Sequence, residues 1–374
     1  MAWLCRQLSA AGPASFKTAA GPLRNRSFEG TGAGRVAAVL SVVIVSYGGG
    51  EEVLRCVRSI READGGADAE VVVVENGAAS PELERAASHG AFALVVSGAN
   101  LGFGGGCNLG ARRARGDVLV FVNPDTVVLR GALAALARAL EDETVGIATA
   151  RVRLLEEPEL LNTGGNVLHV TGLGWVAGYR QPVATAAVAR DVAFPSGAAM
   201  AMRRALYEEL GGFREELFMY HEDVDLGWRV WLRGLRVVMT PEADVLHGYE
   251  FGRNAEKRYL LERNRLSFLV CDLPGRLLLL LAPVLVSAEV ALTVLAWREG
   301  WLREKARGWL WCARHAGALA RRRRETQATR RVPVSALARL LTARVDPTVV
   351  DVPAAVRAAN PLLEAYWAVA RRFA

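Results

Sequence analysis

The acidic residues that follow the aromatic run at positions 218–220 are the strongest candidates for chemistry in this sequence. Glu222 and Asp223 are adjacent, and Asp225 lies two positions later. Apolar side chains beside carboxylates raise their pKa towards the range that a general base needs. We therefore expect proton transfer at Glu222 and Asp223. The alternative is an acidic first helical turn, where carboxylates interact favourably with exposed backbone amides.

Asp125 is a second candidate, because it follows the apolar run at residues 117–122 in the sequence Asn123-Pro124-Asp125. Proline fixes φ and has no N–H group, so the predicted strand should end here, with Asp125 at the sheet edge. One carboxylate with substrate phosphate oxygens and water is a common way to hold Mg²⁺ or Mn²⁺. His247 ends a later apolar run and is expected at the same edge. A turn-capping Asp125 and a structural His247 are the alternatives.

A glycine-rich segment at residues 100–110, NLGFGGGCNLG, is predicted to lead into a helix over residues 109–115. Bare backbone amides at the start of a helix can bind phosphate. The dinucleotide fingerprint does not fit, since Cys107 occupies its third glycine position, and no GK[ST] sequence marks a P-loop. A tight turn between a strand and a helix is the alternative interpretation.

Apolar runs alternate with amphipathic segments along the first half of the chain. A helix is predicted over residues 51–63, and Ser80-Pro81 opens another. Strands are predicted at residues 39–46, 70–74, 92–97, 117–122 and 236–240. This alternation predicts a doubly wound α/β sheet whose ligands lie beyond the carboxyl ends of the strands. Residues 145–192 have a looser pattern, for which we predict short strands and a lid or acceptor loop.

The chain has 374 residues, which is enough for two domains, or for one large domain and an appendage. Its net charge is +7. The positive charge is concentrated after residue 250, which favours an anionic bilayer or an anionic lipid-linked substrate over nucleic acid. The five cysteines have no CxxC pair or zinc spacing, so a disulfide framework is not expected. Residues 1–38 are predicted to be a disordered extension or the result of a start codon assigned too early, with a transit peptide as the alternative.

Residues 277–297 form an apolar run that is long enough to span a bilayer. Basic residues flank both of its ends, however, and Glu289 lies inside it. A single span would place one basic flank outside, against the positive-inside tendency, and an acid inside a membrane is costly. We therefore predict an interfacial or re-entrant helix, with an integral span and a buried helix pair as the alternatives. An aromatic belt at headgroup level is predicted at Trp297, Trp301, Trp309 and Trp311.

Several of these segments together resemble the family 2 inverting glycosyltransferases of the GT-A fold, in particular their rhamnosyltransferase-like branch. The resemblance is carried by SVVIVSY at 41–47, VVENG at 73–77, NLGFGGGCNLG at 100–110, FVNPD at 121–125 and GGFREELFMYHEDVDLGWR at 211–229, with His247 after it. It implies an α/β GT-A domain with a doubly wound mixed sheet over residues 39–272. The basic, helical residues 273–374 are then predicted to associate with the membrane.

The resemblance implies a nucleotide-diphosphate sugar donor and a divalent metal, Mg²⁺ or Mn²⁺. It implies that Asp223, beside Glu222, is the general base and that Asp125 and His247 hold the metal. Glu75 stands where the family usually has Asp, and Ala78 where Ser is common, so base and ribose contacts are expected to be altered. The residues assigned on this basis to the nucleotide-sugar site are Ser46, Tyr47, Glu75, Asn100, Gly102, Phe103, Asn108, Asn123 and Asp125.

The implied reaction moves a sugar, rhamnose in this branch, to a hydroxyl of a glycan or polyprenyl-lipid-linked acceptor in cell-envelope polysaccharide synthesis. The implied location is the cytoplasmic face of the cell membrane, where a peripheral or monotopic protein meets anionic lipid. A galactofuranosyl- or mannosyl-type transferase is the alternative within the fold, since nothing in the sequence identifies the sugar. A sugar-nucleotide-binding protein without turnover and a dinucleotide-dependent oxidoreductase are the alternatives outside it.

Overall fold

The protein is described by a computed structural model over residues 39–63, 68–248, 254–346, 352 and 354–374. The extension predicted at residues 1–38 lies outside these residues. The first half of the described chain contains β1 (Leu40–Ser46), α1 (Glu51–Glu62), β2 (Glu70–Glu75), α2 (Pro81–Ser88), β3 (Ala93–Val96), α3 (Gly102–Arg113), β4 (Val118–Val122), β5 (Thr126–Val128), α4 (Ala132–Ala139), β6 (Val145–Leu154), β7 (Leu161–Thr163), β8 (Asn166–His169) and β9 (Gly174–Val176).

The second half is richer in helix. Its elements are β10 (Arg190–Asp191), β11 (Ala199–Arg203), α5 (Arg204–Glu209), α6 (Glu222–Leu232), β12 (Arg236–His247), α7 (Ala255–Asp272), α8 (Gly275–Arg298), α9 (Leu302–Arg314), α10 (Ala316–Ala328), α11 (Val334–Ala338), β13 (Leu341–Thr342) and α12 (Ala354–Ala370), with short 3-10 turns at Val183–Ala186, Glu215–Leu217 and Arg371–Phe373.

The main sheet is mixed and is covered by helices on both faces. Its strand order is β10-β12-β6-β11-β4-β1-β2-β3, with β5 paired to β12 and β7 to β6. Strands β3, β2, β1 and β4 are parallel, while β11 runs antiparallel to β4 and β6. Helices α1, α2 and α4 pack on one face, and α3, α5 and α6 pack on the other. The continuous β-branched runs of the sequence reflect this two-sided burial.

Two parts of the sheet region differ from the sequence prediction. Helix α3 begins at Gly102 rather than at residue 109, because its glycines allow the helix to lie directly on β1. A Cβ on Gly106 would be only 2.6 Å from Cγ1 of Val45. Residues 145–154 form the long central strand β6, between β11 and β12, rather than part of a loose loop. Small residues such as Gly146 and Ala148 weakened the strand pattern there.

The C-terminal helices add a third core that continues from α6. Leu277, Leu281 and Val284 of α8 are buried in it with Trp228 of α6 and Trp367 of α12. Among the described residues, α8 is the one helix that is long and apolar enough to cross a membrane. Its opposite side is exposed, so α8 packs against the protein along one side only.

Glu289 is the acidic residue inside the apolar run, where it would make a membrane span costly. It forms ion pairs with two cationic side chains of the protein. Its Oε2 is 2.6 Å from the guanidinium of Arg265, and its Oε1 is 2.8 Å from Nζ of the fully buried Lys305. Of the predicted aromatic belt, Trp297 and Trp309 are exposed. The belt prediction was wrong for Trp301, which is buried, and Trp311 is half-buried.

Candidate active site

Four strands deliver polar side chains to one edge of the sheet. β1 ends at Ser46, β2 ends at Glu75, and β4 stops directly before Asn123. These three strands are neighbouring and parallel. His247 ends β12, which pairs there with β5, so His247 meets the turn at residues 123–125. This edge of the sheet therefore brings together residues that were predicted from the sequence to bind the nucleotide and the metal.

The carboxylate of Glu75 is held by backbone amides at this edge. Its Oε1 accepts hydrogen bonds of 2.7 Å from the N–H groups of Gly48 and Gly77. Its buried Oε2 has no hydrogen-bond partner in the described part of the chain. A buried oxygen without a donor is costly, so a donor group of a ligand would be stabilising here. Ser46 is buried nearby and Tyr47 is half-buried.

Asp125 and His247 lie in contact. Oδ1 of Asp125 is 3.1 Å from Nε2 of His247, and Nδ2 of Asn123 is 3.3 Å from the same nitrogen. Burial alone would raise the pKa of Asp125, but the hydrogen bond and the charge of His247 lower it, so the carboxyl group is ionised at neutral pH. No group of three or more His, Cys, Asp or Glu side chains is gathered for a metal within the described ranges.

The start of α3 is occupied by the chain itself. The Phe103 amide donates a 2.8 Å hydrogen bond to the Phe218 carbonyl, and the Gly102 amide donates one of 3.0 Å to Oδ1 of Asn100. Gly102 has a φ of +71°, and a Cβ there would collide with the Phe218 carbonyl. Nδ2 of Asn76 fixes the same turn through the Gly102 carbonyl at 2.8 Å. This geometry fits the tight-turn interpretation, because two of the first amides of α3 are bonded within the chain.

Asn108 has its hydrogen-bonding groups occupied inside the protein. Its Oδ1 accepts from the Phe213 amide at 2.9 Å and from the Tyr207 hydroxyl at 2.5 Å. Its Nδ2 donates to the Phe213 carbonyl at 2.9 Å and to Glu215 at 3.0 Å. Two donors and two acceptors are all that an amide offers, so the geometry gives Asn108 a structural position. Phe103 packs edge-on against Phe213, with ring centroids 5.9 Å apart.

The loop before α6 has a strained backbone. Phe218, Tyr220 and His221 have φ values of 64°, 68° and 69°, a region that costs residues with side chains about 1–3 kcal/mol each. Asn264 of α7 is fully buried, and its Nδ2 lies within hydrogen-bonding distance of three carbonyl oxygens of this loop, so one of its two hydrogens is shared between two of them. These oxygens belong to Leu217, Met219 and Tyr220, at 2.9, 2.9 and 2.6 Å.

Two further contacts fix the strained loop. Arg263, the neighbour of Asn264, donates to the carbonyl oxygens of Glu216 and Leu217 at 3.0 and 2.7 Å. Nε2 of His221 is 3.0 Å from the Gly172 carbonyl. Asn264 and Arg263 were not predicted from the sequence. The one signal that could have indicated them is an asparagine between two arginines in the middle of a helix.

Glu222 and Asp223 occupy the first turn of α6. Burial raises the pKa of Asp223 to about 6, although amides that include those of Val224 and Gly197 lower it in part. Burial and the charge of Asp223 raise the pKa of Glu222 well above its usual range. Oε2 of Glu222 is buried and has no partner among the residues described. The pair therefore combines a carboxyl group that titrates near neutral pH with a second one whose pKa is also raised.

Backbone contacts connect this pair to the other acidic position. The Asn123 amide donates a 3.0 Å hydrogen bond to the Ala198 carbonyl. The preceding residue, Gly197, places its amide at the carboxylate of Asp223. Asp223 and the turn that carries Asp125 therefore both contact the segment at residues 197–198, which places the two carboxylates at the same edge of the sheet.

Asp225 belongs to a buried ion cluster rather than to this edge. Arg229 lies 2.7 Å from it, Arg214 lies 3.4 Å from it, and Arg322 of α10 contacts its Oδ1. Burial would raise the pKa of Asp225, but these three guanidinium groups lower it. Arg322 also reaches Asp272 at the end of α7, at 3.4 Å. Helix α6 is thus held by a residue that is distant in sequence, which no local pattern indicated.

The chain is similar in sequence to known glycosyltransferases. The family model described as "Glycosyl transferase family 2" matches residues 41–211. The N-acetylglucosaminyl-diphospho-decaprenol L-rhamnosyltransferase of Mycobacterium tuberculosis is 30% identical over 238 residues, which cover 56% of this chain and 76% of that protein. Rhamnosyltransferase WbbL of Escherichia coli is 22% identical over 220 residues, which cover 55% and 82%.

The fold is similar to that of a solved glycosyltransferase. The crystal structure of GalNAc-T7 with UDP, GalNAc and Mn²⁺ superposes with a TM-score of 0.52 at 18% identity, over 63% of this chain and 48% of that one. This likeness and the mixed sheet confirm the predicted α/β fold of GT-A type. The match of the family model and the coverage of the mycobacterial relative confirm the predicted family. The chain belongs to glycosyl transferase family 2.

Proposed function

We propose that this protein is an inverting glycosyltransferase that moves rhamnose from a nucleotide-diphosphate donor to a hydroxyl group of a glycan or polyprenyl-lipid-linked acceptor. The observation that carries the proposal is Asp223, whose pKa is raised to about 6 by burial in the first turn of α6. A carboxylate that titrates near neutral pH is suited to take a proton from an acceptor hydroxyl. The two similar rhamnosyltransferases support the choice of sugar.

The nucleotide of the donor is proposed to lie beyond the carboxyl ends of β1 and β2. The buried Oε2 of Glu75 offers an acceptor to an N–H group of the base or to a ribose hydroxyl. Ser46 and Tyr47 lie beside it at the end of β1. Glu75 has a longer side chain than aspartate, so its reach to the base differs from that of the usual family residue.

Asp125 and His247 are proposed to hold a divalent metal together with the donor diphosphate. Oδ1 of Asp125 and Nε2 of His247 lie side by side, 3.1 Å apart, so both could contact one ion. A carboxylate with few other protein ligands suits Mg²⁺ or Mn²⁺, which keep water and phosphate ligands. When bound, the metal would neutralise negative charge on the leaving diphosphate.

In the proposed reaction, the acceptor oxygen attacks the anomeric carbon while the bond from that carbon to the diphosphate oxygen breaks. Asp223 takes the proton of the acceptor hydroxyl, and the nucleoside diphosphate leaves with the bonding electrons. Attack from the side opposite to the leaving group inverts the configuration. Burial and the adjacent carboxylate raise the pKa of Glu222, which favours its protonated form beside an ionised Asp223.

The acceptor is proposed to be attached to a polyprenyl diphosphate, as the name of the mycobacterial relative suggests. The positive charge after residue 250 and the exposed apolar side of α8 favour contact with an anionic bilayer. We accordingly propose a catalytic part over residues 39–272 and a membrane-associating part over residues 273–374. The proposed location is the cytoplasmic face of the cell membrane, in cell-envelope polysaccharide synthesis.

A donor panel tests this function. Purified protein is mixed with dTDP-, UDP- and GDP-sugars, with and without Mn²⁺, and both nucleotide release and thermal stabilisation are measured. We expect release from one rhamnose donor, lost on chelation. If a galactofuranose or mannose donor were used instead, the proposed donor sugar would be wrong and the proposed glycosyltransferase activity would stand. Stabilisation without release would indicate a binding protein, and indifference to every donor and to metal would overturn the proposal.

A further inference from the structure

We propose that the bilayer is contacted by two neighbouring helices, α8 and α12, which lie in the plane of an anionic membrane. This inference rests on the proposed function and adds a second docking element to it. The apolar residues that form the two-helix face are all exposed. They are Leu279, Val286, Val290, Val294 and Trp297 of α8 with Leu362 and Val369 of α12 and the following Phe373.

The inner side of α8 is attached to the catalytic body along its whole length. Leu277 and Leu281 are fully buried near its start, and Ala296 is fully buried near its end. Between them, Glu289 is bound to Arg265 and Lys305. These residues span almost 20 positions, or about 30 Å at 1.5 Å per residue. A transmembrane orientation would break all of these contacts, whereas an interfacial orientation uses the exposed side and leaves them intact.

Helix α12 has the same two-sided character. Its exposed residues Leu362, Val369 and Phe373 are seven and four positions apart, which places them on one side of a helix. On the other side, Trp367 is buried in the core that also contains α8. The hydroxyl of Tyr366 donates a 2.5 Å hydrogen bond to the Leu280 carbonyl. The two exposed stripes therefore belong to helices that are directly joined.

The charges around the two-helix face identify its partner as an anionic bilayer. Trp297 is 70% exposed at the C-terminal end of the α8 stripe, where an indole suits the headgroup region. Four exposed arginines stand at the ends of the stripes, and no ion pair of theirs occurs among the residues described. They are Arg276, Arg298, Arg371 and Arg372. A second copy of the chain on a two-fold axis would bring like charges together, while anionic headgroups compensate them.

Vesicle sedimentation tests the contribution of α12. The full chain is mixed with sucrose-loaded vesicles of neutral and anionic phospholipid, and the bound fraction is compared for L362E, V369E and V286E. Each variant places a charge at an exposed position, so the fold should be retained. We expect each to weaken vesicle binding at least about tenfold. The matched control is V188E, since Val188 is 75% exposed outside the two helices, and it should bind as the wild type does.

Donor turnover in vesicle-free buffer separates this inference from the proposed function. L362E and V369E should release nucleotide diphosphate from the soluble donor at the wild-type rate. Wild-type vesicle binding by both variants would overturn the role of α12, even if the donor is turned over. If both variants lost vesicle binding and neither they nor the wild type turned over any donor, the membrane role of the two-helix face would stand and the transferase function would be rejected. A wild-type dimer in buffer that L362E dissociates would make this face a contact between copies and overturn the inference.

Discussion

At the residue scale, Asp223 is the group on which the proposed chemistry depends. Its carboxylate is hydrogen-bonded to the Val224 amide at 2.8 Å, which orients it, while burial raises its pKa. Replacing Asp223 with asparagine keeps the size of the side chain and removes the proton acceptor. We expect D223N to bind the donor with wild-type affinity and to lose about 10²- to 10⁴-fold in transfer rate. Donor titration calorimetry and a transfer assay measure the two effects.

The matched control for this substitution is D346N, because Asp346 is exposed and far from the sheet edge in sequence. It should retain both donor binding and transfer. Full transfer activity in D223N would remove Asp223 from the mechanism and leave the acidic helix start as its only role.

The pH dependence of kcat/KM follows from the raised pKa of Asp223. A base must be deprotonated to accept a proton, so activity is low below the pKa and rises with pH. With a pKa of about 6, the rate should increase about tenfold per pH unit below pH 6 and level off above pH 7. A rate that falls between pH 5 and 7 would contradict this assignment.

At the element scale, the strained loop and α7 act as one unit. Nδ2 of Asn264 shares its two hydrogens among three carbonyl oxygens of a loop in which three residues have positive φ. In N264L these carbonyls lose their donor, so the loop should relax and shift the start of α6. We expect kcat to fall about 10- to 100-fold, with the free energy of unfolding reduced by about 1–3 kcal/mol. Steady-state kinetics and urea denaturation provide both values.

The control for the loop is a buried asparagine with a similar bonding pattern elsewhere. Asn360 of α12 bonds the amide and the carbonyl of Val345 through its side chain. N360L should lower stability and leave kcat unchanged. If N264L and N360L both retained the wild-type kcat, the strained loop would serve folding alone.

The elements that were predicted well are those whose apolar residues follow a regular pattern within the element itself. The centres of β1 and β2 are unbroken β-branched runs, at residues 42–45 and 71–74, so their pattern was visible in the sequence of each strand alone. The start of α3 was not predictable, because its glycines serve contact with β1 and Phe218, which are distant in sequence. The same reason hid Asn264, whose partners lie more than forty positions away. Asp125 and His247 could be paired in advance because Asp125 lies just after β4 and His247 ends β12 at the same edge.

At the scale of the whole molecule, the C-terminal helices complete the interior of the catalytic part. Glu262 of α7 lies 2.6 Å from Nζ of Lys305 in α9, and both side chains are buried. Arg322 of α10 contacts Asp225 of α6 and Asp272 of α7. These cations come from the part of the chain that is proposed to meet the membrane. The functional division near residue 272 is therefore not expected to be a boundary of independent folding.

A chain that ends at Asp272 should fail to fold, because it loses two buried cations, Lys305 and Arg322, and also the apolar residues of α8 and α12 that complete the third core. Losing one partner of a buried ion pair costs up to about 3–5 kcal/mol, which is large against a total stability of about 5–15 kcal/mol. We expect residues 39–272 to show no cooperative thermal transition by circular dichroism. The full chain carrying R322M loses one partner and should still unfold cooperatively, at a lower temperature. A wild-type midpoint for residues 39–272 would mean that the C-terminal helices dock on a domain that is already stable alone.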